Sequence, residues 1–340
     1  MEHSMAGRED RHQRLDRGIK VRSEGIYALA SWREISYLLA PRAALVLGML
    51  VVPALLPEVW QRVACLTGVY ALLALAFDFL LSSVGLVCLG GALWMGVGGY
   101  IAGILASEFG WTPAVTLPIA ALAGGGLCTV LLFPCLPLRG IYFAIATFVY
   151  PFLLSHIIEA LQIAGGTLGL PGLPTIPNKW TALYLMMLLL NLIVFGFRRL
   201  LSEDVGLVFQ SIRENDQAVK ASGINVTGLK TVAVFIASTV GCFAGAYLCV
   251  LYGWTGMSFF ALDFSVLPIA ASVVGGIGTY TGALLGGVVL VPLTELLRAF
   301  GPLRMVLYAA ILAIFVVARP EGFMPYLARK YSQFERWVEV

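Results

Sequence analysis

The chain has 340 residues, of which 59% are hydrophobic and only 12% are charged, and its formal net charge is +3. Its mean hydropathy of +0.89 exceeds what the core and surface of a water-soluble globular protein average together, so that class is excluded. We predict an all-α polytopic membrane protein, because the apolar stretches are continuous and do not alternate every second residue as barrel strands do. The small positive charge indicates topology and gives no sign of a nucleic-acid partner.

Residues 1–42 form a polar N-terminal arm that we expect on the cytoplasmic side of the membrane. No cleavable signal peptide is predicted, because the arm is polar and mixed in charge, and the first apolar run is expected to remain as a span. Arginines alternate with acidic residues in the arm. This pattern favours a surface helix on lipid headgroups or on a cytoplasmic partner.

Residues 43–324 are predicted to be the membrane domain, with a cytoplasmic tail at 325–340. With about 20 apolar residues per span, we expect roughly ten transmembrane helices, some of them broken by glycine and proline. The predicted spans run Ala43–Leu56, Val63–Leu81, Val84–Ala106, Val115–Phe133, Ile141–Ile163, Thr181–Phe197, Thr231–Tyr252, Phe264–Gly276, Ala283–Leu297 and Met305–Ala318.

Two predicted spans are unusually rich in glycine: SSVGLVCLGGALWMGVGGYIAG from Ser82, and SVVGGIGTYTGALLGG from Ser272. Glycine weakens a helix and lets another backbone approach closely, so tight helix packing is one explanation. Interrupted segments in both halves of a transporter also indicate a central pathway. Because the clusters lie at comparable places in the two halves, an internal inverted repeat is a second hypothesis.

Lysine and arginine collect in the arm, in the polar segment 198–230 and after residue 318. Loops rich in these residues stay in the cytoplasm, and an even number of spans puts all of them on one side. We therefore expect both termini and segment 198–230 in the cytoplasm. A polar connection of this length between two spans is unusual, and it predicts a docking surface for a soluble partner that drives the membrane part.

No catalytic residue and no metal site is predicted. The cysteines are scattered through apolar segments without the paired spacing of a metal or redox site, so we interpret them as packing residues. His156 lies in a span without acidic or cysteine companions at ligand spacing. A phosphate-binding GxxxxGK[ST] loop is absent, so we expect no cofactor on this chain and ATP hydrolysis only on a partner.

Several separated motifs follow one another between Val69 and Phe323. They are ALLALAFDFLLSSVGLVCLGGALWMGVGGYIAG, LRGIYFAIATFVY, GGTLGLPGLP, SIRENDQAVKASGINV, VVGGIGTYTGALLGG and ARPEGF. In this order they resemble the branched-chain amino acid family of ABC importer permeases, specifically its LivM-type subunit. The resemblance implies a multi-pass subunit of the bacterial inner membrane that translocates a small polar solute, such as a branched-chain amino acid or a related amino acid or amide.

The resemblance also implies the partners. They are a second, homologous permease subunit that forms a heterodimer with this chain, two cytoplasmic ABC ATPases that bind ATP and magnesium, and an extracellular solute-binding protein. The segment GGTLGLPGLPTIPNK is expected outside the cell, where an ordered irregular loop suits contact with the binding protein. Membrane lipid surrounds the spans.

By resemblance, residues 211–226 contain the coupling helix that lies in a cleft of the ATPase. Gly223 is predicted to end that helix. Small and apolar residues with polar edges make up the expected ATPase contact. These residues are Ile212, Arg213, Glu214, Asn215, Asp216, Ala218, Ala221, Gly223 and Ile224.

The resemblance further implies a pathway lined by the third, fifth, eighth and ninth spans. Hydroxyl groups there suit a passing polar solute, because they form hydrogen bonds without holding it long. Helix packing remains an alternative for each of these residues. The candidates are Asp78, Leu89, Gly90, Gly91, Trp94, Thr147, Tyr150, His156, Ser272, Gly275 and Gly276.

The chain departs from the family pattern at Asp78, Cys88 and Gly91, where Asn, Ser and His are usual, so the identity of the solute stays open. Asp78 lies in an apolar run, which marks it either as a functional carboxylate or as a structural one that faces water. The alternative function is a self-sufficient secondary transporter or channel. Few ionisable residues lie within the spans, which argues against it.

Overall fold

The computed structural model describes residues 57–138, 140–301, 303–318 and 322–326. The predicted all-α membrane class is confirmed, since seven helices of the described part are long and apolar enough to cross a membrane. The helices are α1 (Glu58–Val84), α2 (Gly91–Phe109), α3 (Pro113–Leu132), α4 (Ile141–Leu161), α5 (Lys179–Ser202), α6 (Asp204–Ala221), α7 (Val226–Tyr252), α8 (Asp263–Gly275), α9 (Tyr280–Leu296) and α10 (Leu303–Ala318). The arm 1–42 and the predicted span Ala43–Leu56 lie outside the described residues.

Two helices of 27 residues, α1 and α7, form the centre of the bundle. Helix α1 packs against α5, α6, α7, α8 and α9, whereas α7 packs against α1, α2 and α3. Small residues make the α2–α7 contact close: a Cβ at Gly98 would collide with the carbonyl of Cys242, and one at Gly245 with the carbonyl of Met95. Without a hydrophobic driving force between helices in lipid, such close backbone contact is what holds a bundle together.

Helix α2 is shorter than the predicted span Val84–Ala106. Helix α1 ends at Gly85, which has a positive φ of 71°, and residues 85–90 are not helical, so α2 begins only at Gly91. A helix ends readily at such a glycine, because the left-handed conformation carries no Cβ penalty there. The third predicted span is therefore a non-helical segment followed by a helix.

Helix α8 begins beside the beginning of α2. After α7, the chain forms strand β2 (Trp254–Thr255), which pairs antiparallel with β1 (Leu170–Pro171), and then a 3₁₀ turn at Met257–Phe260. Side chains of this segment lie along α2: a Cβ on Gly99 would clash with the ring of Phe259. The segment thus brings the first residues of α8 to the first residues of α2.

Helix α6 is amphipathic and contains an interruption. Asn215 has non-helical angles of φ −154° and ψ 95°, and its side-chain oxygen accepts hydrogen bonds from the backbone N–H groups of Gln217 (3.1 Å) and Ala218 (3.2 Å). Asn215 therefore caps the second half of the helix. The buried apolar face includes Phe209, which lies against Phe79 of α1, and Ile212 and Val219, which pack with Val226 at the start of α7.

The close contact of α2 with α7 gives a stability prediction. Gly98→Ala should lower the free energy of unfolding by about 1 to 3 kcal/mol, because its Cβ overlaps the α7 backbone. Gly126→Ala is the matched control, since no atom lies within 4 Å of a Cβ there, and alanine favours a helix by about 1 kcal/mol over glycine. Thermal unfolding in detergent measures both variants. Equal midpoints for the two would contradict the packing described here.

Candidate functional site

The exposed face of α6 and the residues after it carry most of the predicted coupling residues. Glu214, Ala218, Ala221, Gly223 and Ile224 are all exposed. Gly223 has a φ of +86°, and its N–H donates to the carbonyl of Lys220, so the prediction that this glycine ends the helix is confirmed. The end of α6 thus presents small residues next to polar ones, as a docking helix requires.

Two of the predicted coupling residues face the chain itself. Ile212 is 2% exposed and lies in the apolar cluster under α6, which corrects the expectation that its side chain contacts a partner. The carboxylate of Asp216 lies 3.5 Å from the ammonium of Lys230, and both side chains are mostly buried. Together these contacts fix α6 on the first turns of α7.

Arg213 connects α6 to the end of α1. Its guanidinium donates a hydrogen bond of 3.0 Å to the carbonyl of Ser82. The last four carbonyls of a helix have no partner inside the helix and carry a partial negative charge. A guanidinium at this end therefore satisfies an open acceptor and interacts favourably with the helix dipole.

Asp78 connects the same end of α1 to the turn between α8 and α9. One carboxylate oxygen accepts a hydrogen bond of 2.7 Å from the N–H of Gly278, and the side chain is fully buried. The Ser272 hydroxyl of α8 lies beside the carboxylate. Asp78 therefore faces protein and not water, which corrects the interpretation of a wet structural carboxylate.

Ser82 adds a second link to the same turn. Its hydroxyl lies 3.0 Å from that of Tyr280, the first residue of α9. Asp78 and Ser82 are one helical turn apart, so they lie on one face of α1. We call this group the coupling junction and define it as Asp78, Ser82, Arg213, Gly278 and Tyr280. These contacts join α6, α1 and the α8–α9 turn.

The helix break before α2 brings four of the predicted pathway residues together. The N–H of Leu89 donates a hydrogen bond of 3.0 Å to the hydroxyl of Thr147 on α4, and Gly90 follows it. Gly91 lies against the carbonyl of Phe264, since a Cβ there would collide with it. Thr147 is fully buried. The hydroxyl thus satisfies a backbone donor that the broken helix leaves open.

Ser265 secures the same break from α8. Its hydroxyl accepts a hydrogen bond of 3.0 Å from the N–H of Ala92. With Gly91 against Phe264, this bond ties the first turn of α2 to the first turn of α8. The beginnings of α2 and α8 and the middle of α4 therefore meet at one point of the bundle.

The other pathway candidates lie elsewhere. Trp94 is buried against α7, where a Cβ on Gly241 would touch its ring, and Tyr150 is half-buried with its hydroxyl 3.5 Å from the sulfur of Cys135. His156 is exposed and lies 3.4 Å from Glu159. Ser272 lies beside Asp78, and the remaining two candidates, Gly275 and Gly276, end α8 at the α8–α9 turn.

Sequence reasoning missed Ser82, Ser265, Gly278 and Tyr280. The spacing of Asp78 and Ser82 by one helical turn in an apolar run is a signal for a shared polar face. The partners of that face come from residues distant in sequence. Within the described ranges, no group of three acidic, histidine or cysteine residues is placed to hold a metal ion.

A family model and two curated relatives match most of the chain, and they agree with one another. The family model described as "Branched-chain amino acid transport system / permease component" matches residues 60–317. The "High-affinity branched-chain amino acid transport system permease protein LivM" of Salmonella typhimurium is 26% identical over 294 residues, which are 77% of this chain and 69% of that protein. The protein of the same name from Escherichia coli K12 gives the same identity and coverage.

An archaeal protein matches a shorter stretch. The "Probable branched-chain amino acid transport permease protein LivM" of Methanocaldococcus jannaschii is 26% identical over 161 residues, which are 43% of this chain and 47% of that protein. No solved structure matches the chain.

The buried carboxylate of the coupling junction gives a second prediction. Asp78→Leu should lower the free energy of unfolding by about 1 to 3 kcal/mol, because the N–H of Gly278 loses its acceptor. Asp78→Asn is the matched control, since its amide oxygen keeps that acceptor. Thermal unfolding measures the stability of both variants. Solute flux in Asp78→Asn tests whether the negative charge has a role in transport. If both variants unfold alike, the bond to Gly278 does not stabilise the protein.

Proposed function

This chain belongs to the branched-chain amino acid transport system permease family, and we propose that it is the permease subunit of an ABC importer that is driven from the cytoplasm through α6. The observation that carries the proposal is the hydrogen bond from Arg213 to the carbonyl of Ser82, at the end of α1. Through this hydrogen bond, a force on α6 acts directly on the end of α1.

The first step of the mechanism takes place at α6. An ATPase that closes on ATP pushes the exposed residues Glu214, Ala218 and Ala221 and the chain around Gly223. The apolar cluster of Ile212 and the pair of Asp216 with Lys230 keep α6 rigid against α7, so the push is not lost in local bending. Packed elements of this kind move as rigid bodies in switching transitions.

In the second step, the coupling junction passes the movement to α8 and α9. Asp78 holds Gly278, and Ser82 holds Tyr280, so the α8–α9 turn follows the end of α1. The far end of α8 meets the first turn of α2 at Ser265 and the break at Leu89. Rocking α8 therefore changes the point where the broken helices meet, which is where we expect the pathway to open and close.

We propose about ten spans and an inverted repeat. The helices α1 and α7 each have 27 residues and each end at a glycine of positive φ, Gly85 at 71° and Gly253 at 64°. In both halves a non-helical segment follows and then a second helix, α2 in the first half and α8 in the second. These two helices begin side by side. This arrangement supports two repeats of opposite orientation, a common design of membrane transporters.

We place both termini and α6 in the cytoplasm of a bacterium, on the inner membrane. The arginines and lysines of segment 198–230 support that orientation. On α5, Trp180 and Tyr184 stand at one end and Arg198 and Arg199 at the other, which is the expected order from the outer interface to the cytoplasmic one.

The proposed partners are two ABC ATPases that carry ATP and magnesium, an external solute-binding protein and a second permease subunit. Helix α4 supports the last of these, because most of it is uncovered. Its exposed apolar residues include Ile141, Tyr142, Ile145, Val149 and Leu153. Leu168, 83% exposed in the loop before α5, offers an external contact for the binding protein.

For the solute we propose a small amino acid or amide, with a branched-chain amino acid as the first candidate because of the family and its relatives. The small residues Gly90 and Gly91 at the break leave room for a polar solute that passes without binding tightly. Because Cys88 stands at this break where the family pattern has Ser, uncharged amides should also be tested as solutes.

The experiment is transport and ATP hydrolysis in vesicles that contain the whole complex. Arg213→Gln should lower solute uptake per ATP hydrolysed by about tenfold, since a loss of coupling of about 1.4 kcal/mol corresponds to that factor. Arg199→Gln removes the same charge from the exposed end of α5, outside the proposed ATPase contact, and is the matched control. Assembly of the complex is checked by co-purification.

Equal uptake per ATP for wild type and Arg213→Gln would refute the route through Ser82. Accumulation of solute by the chain without ATPases, driven by an ion gradient, would instead support the alternative of a secondary transporter.

Gly223→Asp gives an independent test of docking. A non-glycine residue at a φ of +86° is strained, and an added carboxylate changes the charge at the end of α6. ATP hydrolysis by the complex should lose most of its stimulation by solute-loaded binding protein, while the permease keeps its unfolding midpoint within a few degrees. Gly110→Asp, at another exposed glycine of positive φ (+62°) with no atom within 4 Å of a Cβ, controls for the strain and the added charge. Unchanged stimulation would exclude this end of α6 from docking.

A further inference from the structure

A cavity of about 640 Å³ opens next to the coupling junction. It lies where the end of α5, the middle of α6 and the start of α9 come together. Its lining contributes two guanidinium groups and several neutral hydrogen-bonding groups. The residues used below are Arg198, Ser202, Gln210, Arg213, Thr279 and Thr281.

Among the described residues, the charges that line this cavity are positive. Arg198 and Arg213 line it, and no described aspartate or glutamate does. Within the part of the chain that the structure describes, Arg198 forms no ion pair, whereas its neighbour Arg199 pairs with Glu203. The carboxylate of Asp78 does not line the cavity and accepts the N–H of Gly278, and it offsets part of the charge of Arg213. Two guanidinium groups at one cavity favour an anion.

The shape of the donors favours phosphate. A guanidinium presents a planar fork of N–H groups that matches the oxygens of phosphate, and Arg213 uses only part of its fork on Ser82. The hydroxyl of Thr281 and the amide of Gln210 also line the cavity, whereas the hydroxyl of Ser202 already donates to the carbonyl of Arg199. An oxygen-rich anion finds hydrogen-bond donors on several sides here.

An apolar stripe leads along α5 to the cavity. Leu188, Leu192 and Phe195 follow at helical spacing and are 65%, 62% and 70% exposed. The stripe ends one turn before Arg198 and Arg199, of which only Arg198 lines the cavity. Acyl chains of a lipid fit this stripe while its headgroup reaches the two arginines, and a soluble phosphate has no use for it. Basic pockets at the cytoplasmic side of membrane helices are known to suit anionic headgroups.

We propose that this cavity binds the phosphate headgroup of an anionic phospholipid from the cytoplasmic leaflet. The headgroup bridges Arg198 on α5 and Arg213 on α6, so it holds α6 in its position on the end of α1. A bound anion also keeps the guanidinium of Arg213 from leaving the Ser82 carbonyl for bulk water. The lipid thereby stabilises the coupling junction, and this holds whichever solute the permease carries.

The test is the unfolding midpoint of the full chain in neutral detergent with added lipid. Phosphatidylglycerol should raise the midpoint by at least about 3 °C more than phosphatidylcholine, because a ligand that binds the folded state stabilises it. Arg198→Gln should lose at least half of that extra shift, and Arg198→Lys should keep more of it than Gln does. Arg199→Gln is the matched control and should respond like wild type.

Each shift is measured against the same variant without lipid, so a lower starting midpoint does not affect the comparison. Native mass spectrometry of the same samples should find fewer retained phosphatidylglycerol molecules on Arg198→Gln than on Arg199→Gln. An equal extra shift in Arg198→Gln and wild type would overturn the site. An Arg198-dependent shift with inorganic phosphate as large as that with phosphatidylglycerol would overturn the lipid assignment. Neither readout needs ATP or solute, so failure here leaves the proposed function untouched.

Discussion

The rest of the structure depends on how the backbone carbonyl groups at the C-terminal end of α1 find hydrogen-bond partners. At the C-terminal end of α1, carbonyls without a partner in the helix attract cations and N–H donors. The guanidinium of Arg213 on α6 donates a hydrogen bond to the carbonyl of Ser82 at this end. One turn earlier, the carboxylate of Asp78 accepts a hydrogen bond from the N–H of Gly278. Helix α6 and the α8–α9 turn, which are far from α1 in sequence, are held at the end of α1 because each forms a hydrogen bond with a polar group there.

The same requirement shapes the middle of the bundle. Where α2 breaks off from α1, the open N–H groups of Leu89 and Ala92 are taken up by the hydroxyls of Thr147 and Ser265. Irregular backbone at membrane depth persists only when such partners exist. The junction at the end of α1 and the break at the start of α2 are connected through the body of α8. A short, glycine-ended helix between two polar anchor points is well suited to rock as a unit.

Much of this architecture is predictable from the sequence, because apolar length and glycine spacing are local properties. The class of protein, the broken third span and the helix end at Gly223 follow from them. The bonds from Arg213 to Ser82 and from Asp78 to Gly278 do not, since they join residues 131 and 200 positions apart. The same limit explains Trp94: its sequence context resembles a pathway, but only the fold shows that its ring fills the space beside Gly241 of α7.

The central claim is that α6 and the α8–α9 turn move as one body. Spin labels at Leu207→Cys on α6, Ile277→Cys in the turn and Leu161→Cys at the end of α4, introduced in pairs, measure this directly in the assembled complex. All three sites are exposed, and the native cysteines in the described ranges are buried. Between the nucleotide-free and ATP-trapped states, the distance from α6 to the turn should stay constant while that from α6 to α4 changes. A change of similar size in both distances would contradict the account.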